Sequence, residues 1–509
     1  MGAVVNRRNV ITVAAMLGMF LAAIDQTAVG TAMPSITRAL GGLALYSWVF
    51  AAYQLAFVTT TPIFGRLADL YGRKRIYLTG ILWFIGASVL CGLSHTMGQL
   101  VVFRLLQGVG GGAVLPIALT IVADLFPLEQ RLRIQGIFSG VWGIAAVVGP
   151  LLGGFLADHA NWRWIFFLNV PAGLIATTII TISFVDPVTR RPGGIDFPGI
   201  GILTGAAVAL LLLLLWGGQA FPWWSPPAVG LAAVCAALAL LFVRVERRAR
   251  HPFLPLMLFD DRVVAVGSVG GFLLGASMFG AVVYIPLFVQ GVIGTSATTA
   301  GAVLIPFMLS WTFASIAGGR VALRWGYRPV MMAGMVLMVT GFALLARLTA
   351  ETSVQRVFVP MVVLGAGMGL TATMFMISMQ NAVGRELRGI ATSVSIFSRN
   401  IGSAIGVSVQ GAVLVGVLTR RVQALADTAG SGIPRITDPQ VALDASVQAH
   451  LPAGGHEAFR QALAQGIHGI FLLGLGLVAV GLLLVFVYMP AGSVLALSPA
   501  GAGGGGEAG

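Results

Sequence analysis

Three ionisable residues lie inside long apolar stretches of this 509-residue chain, where a charge is costly. Asp25 is the acid that lies well inside such a stretch, and Arg104 and Arg399 are the cations that remain once loop residues are set aside. A charge at the centre of a bilayer costs about 2.5–3.5 kcal/mol on insertion scales, so such residues usually face a protein interior and have a function. These three residues are the first candidates for chemistry.

Asp25 and Arg104 together are suited to moving a proton. Asp25 lies about 12 Å and Arg104 about 8 Å from the outer ends of their apolar runs at 1.5 Å per helical residue, so the two side chains can pair. Burial favours a protonated carboxyl and a nearby guanidinium favours an ionised one, so movement of Arg104 or entry of water could switch Asp25 between the two forms. An ionised Asp25 could also attract a cationic substrate that the next proton displaces. The alternative is a static structural ion pair.

Arg399 lies about ten residues into its own apolar run, near the middle of a membrane. The second half of the chain has no clearly embedded acid that could pair with it. Its guanidinium could neutralise a helix end, bind backbone carbonyls or contact a substrate, and the sequence leaves these alternatives open.

The composition places these charges in a membrane protein. The chain is 57% hydrophobic and 9% charged, with a mean hydropathy of +0.94, whereas a soluble domain carries roughly 25% charged residues. We therefore predict an all-α integral membrane protein with many spans. The net charge of +13 is typical of basic cytoplasmic loops and, without a basic helix or a zinc motif, does not indicate a nucleic-acid partner.

Other chemistries lack the residues that they need. Cys91 and Cys235 both lie in apolar runs, so we predict neither a disulfide framework nor a metal site. The chain has no GxxxxGK[ST] loop for ATP, so the expected energy source is a proton gradient, with no cofactor. No convincing nucleophile and base set is present, so we do not expect an enzyme.

Fourteen apolar runs of about 20 residues, the length that crosses ~30 Å of hydrocarbon, predict fourteen transmembrane helices. They lie near 10–33, 46–65, 76–94, 99–123, 134–157, 163–184, 198–216, 227–243, 264–289, 298–319, 329–349, 356–379, 389–417 and 468–489.

The first six and the last six runs predict two six-helix bundles with a pseudo-two-fold relation. The stretch Gly65–Arg75, GRLADLYGRKR, has a weaker copy at Gly319–Arg328, 254 residues later, and the first runs of the two halves have the same offset. Duplicated halves are a transporter architecture. The predicted domains are an N-terminal bundle at 1–190, an inserted helix pair with a linker at 191–250, a C-terminal bundle at 251–490 with an outer loop at 420–467, and a disordered Gly-rich tail at 491–509.

The distribution of basic residues predicts the orientation. With the N-terminus inside, 20 Arg and Lys residues fall on inner segments and 8 on outer segments. Inner loops of membrane proteins collect Arg and Lys. We therefore expect a multi-pass protein of the cytoplasmic membrane, with its N-terminus and its C-terminus in the cytoplasm.

Five motifs follow one another in a recognisable order. They are AIDQTAV at 23–29 with AMP at 32–34, GRLADLYGRK at 65–74, RLLQGVGG at 104–111, a glycine-rich stretch at 140–154 that ends in GPLLGG, and NWRWIF with NVP at 161–171. In this order they resemble the major facilitator superfamily, and specifically its fourteen-helix drug:proton antiporter branch, over nearly the whole chain. Ile24 and Met33 depart from the first motif of that family.

The resemblance implies roles for two sets of charged residues. It places Asp25 in the acid position of the first motif and links Arg104 to proton transfer. It also implies a gating cluster of Gly65, Asp69, Gly72, Arg73 and Asp124 that holds one conformation. Asp69 would be favourable near the N-terminus of the thirteenth helix, at about 389–392, because of the helix dipole; a loop charge that serves topology alone is the alternative.

The antiporter motif implies a flexible fifth helix. Its glycines let helix backbones approach closely and its proline lets the helix bend, although ordinary packing is the alternative. These residues are Gly140, Gly143, Gly149, Pro150, Gly153 and Gly154. A second set could line an adaptable drug cavity, although such residues often simply pack; it contains Gln26, Gln54, Trp142, Tyr284, Trp311, Met376 and Arg399.

The sequence as a whole predicts a monomeric, proton-coupled secondary antiporter that exports hydrophobic, cationic drugs by alternating access. Its partners would be small hydrophobic substrates, protons and membrane lipid, and its activity would be multidrug efflux that confers drug resistance. One alternative is a proton-coupled exporter of a specific endogenous lipid or metabolite, whose anionic group Arg399 would hold. A multi-span membrane enzyme or a channel is the remote alternative.

Overall fold

The computed structural model describes residues 2–40, 45–126, 128–185, 196–217, 221–249, 252, 254–295, 297–384, 387–429 and 455–490. Within these ranges it is built from helices, which confirms the predicted all-α class. In chain order they are α1 Gly2–Leu40, α2 Tyr46–Tyr71, α3 Arg73–Gly92, α4 Met97–Leu125, α5 Leu128–His159, α6 Trp164–Phe167, α7 Asn169–Ser183, α8 Phe197–Trp216, α9 Pro226–Glu246, α10 Arg262–Gly291, α11 Ala297–Ala302, α12 Leu304–Trp325, α13 Tyr327–Leu345, α14 Val354–Ala382, α15 Arg388–Ala429 and α16 Gly455–Tyr488.

Eleven helical segments of the described residues are long and apolar enough to cross a membrane, which makes the chain a multi-pass membrane protein. The predicted count of fourteen is not confirmed. The other three predicted runs fall on α2, α5 and α8, which are not among the eleven. In α8 the apolar segment is short, at 198–214, and α2 carries threonines at 59–61 that lower its hydropathy. Helices that pack against other helices need less apolar surface than helices that face lipid.

Several helices continue beyond the apolar runs that predicted them. Within the predicted outer loop at 420–467, α15 continues to Ala429 and α16 begins at Gly455. Hydropathy indicates which residues cross hydrocarbon, whereas a helix ends only where its backbone hydrogen bonding ends. The predicted tail at 491–509 lies outside the described residues.

The repeated loop motif has the same backbone geometry in both copies. Gly72 separates α2 from α3 with φ 94°, and Gly326 separates α12 from α13 with φ 85°. Both values lie in the left-handed region that glycine adopts without a Cβ penalty. The two glycines, 254 residues apart, thus stop one helix and start the next in the same way. We call the end of the bundle at which α2 passes into α3 the Gly72 end.

The two largest of four hydrophobic cores organise the packing of the described residues. One core consists of residues from α1 to α5, α7 and Phe184, joined by Met376 and Ile396, and the other consists of residues between Val263 and Met489. The helices α8 and α9 pack against each other, and α8 also contacts α2 and α15. The helix α8 therefore lies against one helix that precedes it and one helix near the end of the chain.

Glycines bring the central helices of both halves into close contact. A Cβ at Gly108 would lie 2.3 Å from the Tyr53 carbonyl oxygen, and a Cβ at Gly365 would lie 2.2 Å from the Phe307 carbonyl oxygen. Gly108 and Gly365 stand 257 residues apart on α4 and α14, so the duplication extends to backbone contacts. This close packing positions the charged side chains of α4.

Candidate functional site

A buried ion pair joins α1 to α4. The Arg104 guanidinium contacts the Asp25 carboxylate, and the two side chains are 1% and 0% exposed. The Gln107 Nε2 donates a hydrogen bond to Asp25 Oδ1 over 2.9 Å, and the Asn169 Nδ2 donates to the same oxygen over 3.2 Å. Four helices therefore meet here, because Ser88 of α3 accepts hydrogen bonds from both Gln107 and Asn169.

Arg104 has further partners that hold its guanidinium in place. It donates to Gln107 Oε1 over 2.7 Å and to the Val49 carbonyl oxygen over 3.3 Å. Its Cζ atom lies 4.3 Å from the centroid of the Tyr53 ring, a distance typical of a cation–π contact. A buried charge is tolerated when it is paired and hydrogen-bonded, and each member of this ion pair satisfies that condition.

Several of these partners were not among the predicted site residues. Gln107 follows Arg104 by three residues, so helical spacing alone places both on one face of α4. Asn169 stands in the NVP motif, but only the tertiary fold brings α7 against α1 and α3. Tyr53 has an aromatic ring that sequence alone does not distinguish from an ordinary core residue.

A second charged cluster lies at the Gly72 end, about 30 Å along α4 from Arg104 at 1.5 Å per residue. Arg73 Nη2 lies 3.1 Å from Asp69 Oδ1, and Arg73 also forms an ion pair with Asp124. Arg388 Nη1 lies 3.5 Å from Asp124 Oδ1. The cluster therefore contains two acids and two cations, of which Arg388 was not a predicted gating residue.

Asp69 connects the two halves of the chain at this cluster. Its carboxylate accepts hydrogen bonds from the Gly389 amide over 3.1 Å and from the Ile390 amide over 2.8 Å. These amides begin α15, where the helix dipole favours a negative charge. Gly65 lies against Ser393 one turn further along, and a Cβ at Gly65 would lie 2.0 Å from Ser393 Oγ. The Gly72 end is therefore closed by contacts between α2 and α15.

The glycines of the antiporter motif face two different neighbours. A Cβ at Gly140 would lie 3.2 Å from Thr312 Cγ2 of α12, in the other half of the chain. Gly143 faces Thr312 as well, whereas Gly149 lies against Thr27 of α1, whose hydroxyl donates to the Ala145 carbonyl oxygen over 3.1 Å. Gly153 is buried, and the surroundings of Pro150 and Gly154 lie outside the described residues.

The residues predicted to line a drug cavity divide between the two cores. Trp142 and Met376 pack with the first core, and Tyr284 and Trp311 pack with the second. Gln26 and Gln54 are half-buried on α1 and α2. Their assignment to a drug cavity stays a prediction.

Arg399 lies on α15, 11 residues after Arg388 and therefore about 16 Å from the start of that helix. It is half-buried. Within the part of the chain that the structure describes, no side chain forms an ion pair with its guanidinium and no acceptor forms a hydrogen bond with it. The neighbouring Ser403 hydroxyl donates to the Arg399 carbonyl oxygen over 2.8 Å, which satisfies only the backbone.

Comparisons with known proteins identify the kind of molecule in which these charges occur. Residues 15–407 match the family model described as Major Facilitator Superfamily. The chain is 35% identical over 506 residues to the multidrug transporter protein MdtP of Bacillus subtilis, covering 95% of this chain and 94% of that protein. It is 36% identical over 465 residues to multidrug resistance protein 3 of the same organism, covering 90% of this chain and 91% of that protein.

Solved structures share the fold at low sequence identity. The human organic anion transporter MFSD10 superimposes with a TM-score of 0.60 at 15% identity, covering 92% of this chain and 99% of that chain. A bacterial homolog of the human lysosomal transporter Spinster, in an inward-facing and unoccupied conformation, superimposes with a TM-score of 0.56 at 16% identity, covering 95% of this chain and 98% of that chain.

Proposed function

The chain belongs to the Major Facilitator Superfamily, and we propose that it is a proton-coupled secondary antiporter that exports hydrophobic drugs, monovalent cations among them. Drug export is supported by the multidrug transporters that match nearly its whole length. The family and its structural relatives point to a transporter rather than an enzyme. The proposed location is the cytoplasmic membrane, with both termini and the Gly72 end on the cytoplasmic side.

The observation that supports proton coupling is the Asp25–Arg104 ion pair. Asp25 is 0% exposed and accepts hydrogen bonds from Gln107 and Asn169 besides its contact with Arg104. Protonation of this carboxyl would release Arg104, so the charge of the site and its packing would change together. Membrane-embedded carboxyls mark proton relays in pumps and transporters, and this one is paired with a guanidinium.

The cluster at the Gly72 end supports alternating access. Asp69 holds the start of α15, and α15 belongs to the half opposite Asp69. Opening the cytoplasmic side would break these two hydrogen bonds and separate Gly65 from Ser393. The antiporter helix α5 touches α12 through Gly140 and Gly143, where small residues allow the halves to move against each other. The proposed carrier works as a monomer and draws its energy from the proton gradient alone.

The proposal predicts transport that depends on a proton gradient. In proteoliposomes with the inverted orientation, hydrophobic cationic dyes should accumulate when a pH gradient is imposed, and a proton ionophore should return accumulation to the level of empty vesicles. An equal rate of dye entry with and without the gradient would contradict proton coupling. Transport that requires ATP would contradict the secondary mechanism altogether.

The charge inventory predicts a preference for monovalent cations over divalent ones. Asp25 is the carboxylate that lies well inside an apolar run, away from the helix ends, and it is already paired with Arg104. A second positive charge on the substrate would find no acid there, and an unpaired buried charge costs several kcal/mol. A monovalent dye and its divalent analogue should therefore be exported at clearly different rates. Equal rates for the two analogues would contradict the predicted preference for monovalent cations.

A specific endogenous lipid or metabolite is the second candidate cargo. Arg399, which has no acid partner among the described residues, favours a compound with an anionic group. A panel of cationic, neutral and acidic compounds in the same vesicles separates the two cargoes. Broad transport of unrelated cations supports multidrug export, whereas transport confined to one acidic compound supports the second candidate.

A further inference from the structure

Arg399 is the embedded charge that the proposed proton chemistry leaves unexplained. The ion pair of Asp25 and Arg104 is neutral as a whole, and the cluster at the Gly72 end balances two acids with two cations. Arg399 has no carboxylate partner among the described residues, so it adds one uncompensated positive charge to the interior. A guanidinium remains protonated and offers five N–H donors, which have to be satisfied by some acceptor.

The depth of Arg399 limits what that acceptor can be. Arg388 contacts the cluster at the Gly72 end, and Arg399 lies about 16 Å further along α15. Arg104 lies about 30 Å from the same cluster along α4. Arg399 is therefore about halfway between the two charged sites, near the centre of a hydrocarbon layer ~30 Å thick. Lipid head groups lie at the surface of that layer and do not reach this depth.

The backbone of α15 packs closely against α10 at the level of Arg399. On the same face of α15, Gly402 packs against Phe272 of α10, and the Arg399 carbonyl oxygen would lie 2.1 Å from a Cβ at Gly275. Gly275 and Gly402 therefore let the two helix backbones approach each other. Arg399 is half-buried whereas Arg104 is 1% exposed, so part of the Arg399 side chain remains accessible.

We propose that Arg399 binds a carboxylate of the exported molecule, so that hydrophobic compounds with a free carboxylate, zwitterions included, are cargo of this site. The fork of a guanidinium matches the two oxygens of a carboxylate, and such bidentate pairs are among the strongest hydrogen bonds in proteins. The apolar helices around the site bind the rest of the compound. This inference rests on the proposed export of hydrophobic compounds and names one chemical class of its cargo.

The test uses a xanthene dye with a free carboxylate and the methyl ester of the same dye. The two dyes share one hydrophobic body and differ by the group that Arg399 would bind. The full-length protein is compared with Arg399→Gln, with Arg399→Lys and with Arg356→Gln, which removes an exposed arginine at the start of α14. Equilibrium binding in detergent is measured by dye fluorescence, and transport is measured in proteoliposomes.

Arg399→Gln should weaken binding of the acid roughly tenfold to a hundredfold, the range of a hydrogen-bonded charge, and change binding of the ester by less than about twofold. For the acid, the loss should appear as a higher KM. For the ester, kcat should be unchanged. Arg399→Lys should recover part of the affinity, and Arg356→Gln should match the wild type for both dyes. The size-exclusion profile of each variant reports on folding.

Two results with Arg399→Gln would overturn the inference. An equal loss for the acid and the ester would assign Arg399 to packing or coupling, and no loss for either dye would remove it from the binding site. Binding separates this inference from the proposed function, because it does not depend on a proton gradient. If the wild type carries the ester with the gradient but neither binds nor carries the acid, antiport stands and the carboxylate site does not.

Discussion

Asp25→Asn is expected to abolish proton-driven accumulation of substrate in inverted vesicles, while the protein remains in the membrane. Asparagine keeps the shape of the side chain but cannot release a proton, so substrate movement is no longer tied to the gradient. The accumulation ratio should fall to about 1, because an uncoupled carrier only equilibrates its substrate. Exchange of labelled for unlabelled substrate without a gradient should persist. Normal accumulation by Asp25→Asn would exclude this carboxyl from coupling.

The ion pair itself requires a matched control. Asp25→Asn leaves Arg104 buried without its carboxylate, and breaking a buried ion pair from one side costs about 3–5 kcal/mol. The double variant Asp25→Asn with Arg104→Gln removes both charges and with them this penalty. If the pair serves only stability, the double variant should regain both folding and accumulation. If Asp25 carries the proton, the double variant should fold and exchange substrate but still fail to accumulate it.

The sequence was informative where a residue type is rare for its surroundings. Asp25 and Arg104 stood out because ionisable residues inside apolar runs are costly, and their depths matched within the error of the helix ends. The structure brings the two side chains into contact. The neutral partners Gln107 and Asn169 carried no such signal, because a polar amide in an apolar run could face any neighbour until the packing of four helices is known.

Helix ends and the span count were less predictable from the sequence. An apolar run indicates where hydrocarbon is crossed, but α15 continues to Ala429 because nothing stops its backbone hydrogen bonding earlier. The predicted runs 46–65 and 76–94 left a charged loop between them, whereas α2 and α3 both continue to a single left-handed glycine, Gly72, and its copy Gly326 has the same conformation. Hydropathy alone also fails to identify α2 as a membrane span, because this helix packs mostly against other helices.

The drug cavity was the least predictable part of the site. Aromatic residues and methionines at helical spacing pack equally well in a core or around a ligand. Trp142 and Trp311 belong to different cores in this conformation. A cavity between two halves of the chain would depend on their relative position, which residue types do not encode. Arg399 is different, because an unpaired guanidinium requires an acceptor in any conformation.

Asp69→Asn should shift the carrier away from the conformation in which the Gly72 end is closed. The change removes the charge that holds the Gly389 and Ile390 amides and that pairs with Arg73. Hydrogen bonds to a charged group contribute about 1.5–3 kcal/mol, so the ratio of open to closed states should rise roughly tenfold to a hundredfold. The variant should still fold, because Arg73 keeps its ion pair with Asp124.

A thiol at Ser393 reports this opening, because Ser393 is 0% exposed where it lies against Gly65. In a chain with Ser393→Cys and with the half-buried Cys235 replaced by alanine, Asp69→Asn should speed labelling from the Gly72 side in proportion to the open population. Asp260→Asn removes an exposed acid before α10 and should leave labelling unchanged. An unchanged rate in Asp69→Asn would mean that this carboxylate caps α15 without controlling the conformation. A faster rate with unaltered proton coupling would separate the function of Asp69 from that of Asp25. Asp69 would then determine how often the Gly72 end opens, and the Asp25 carboxyl would determine what is transported at each opening.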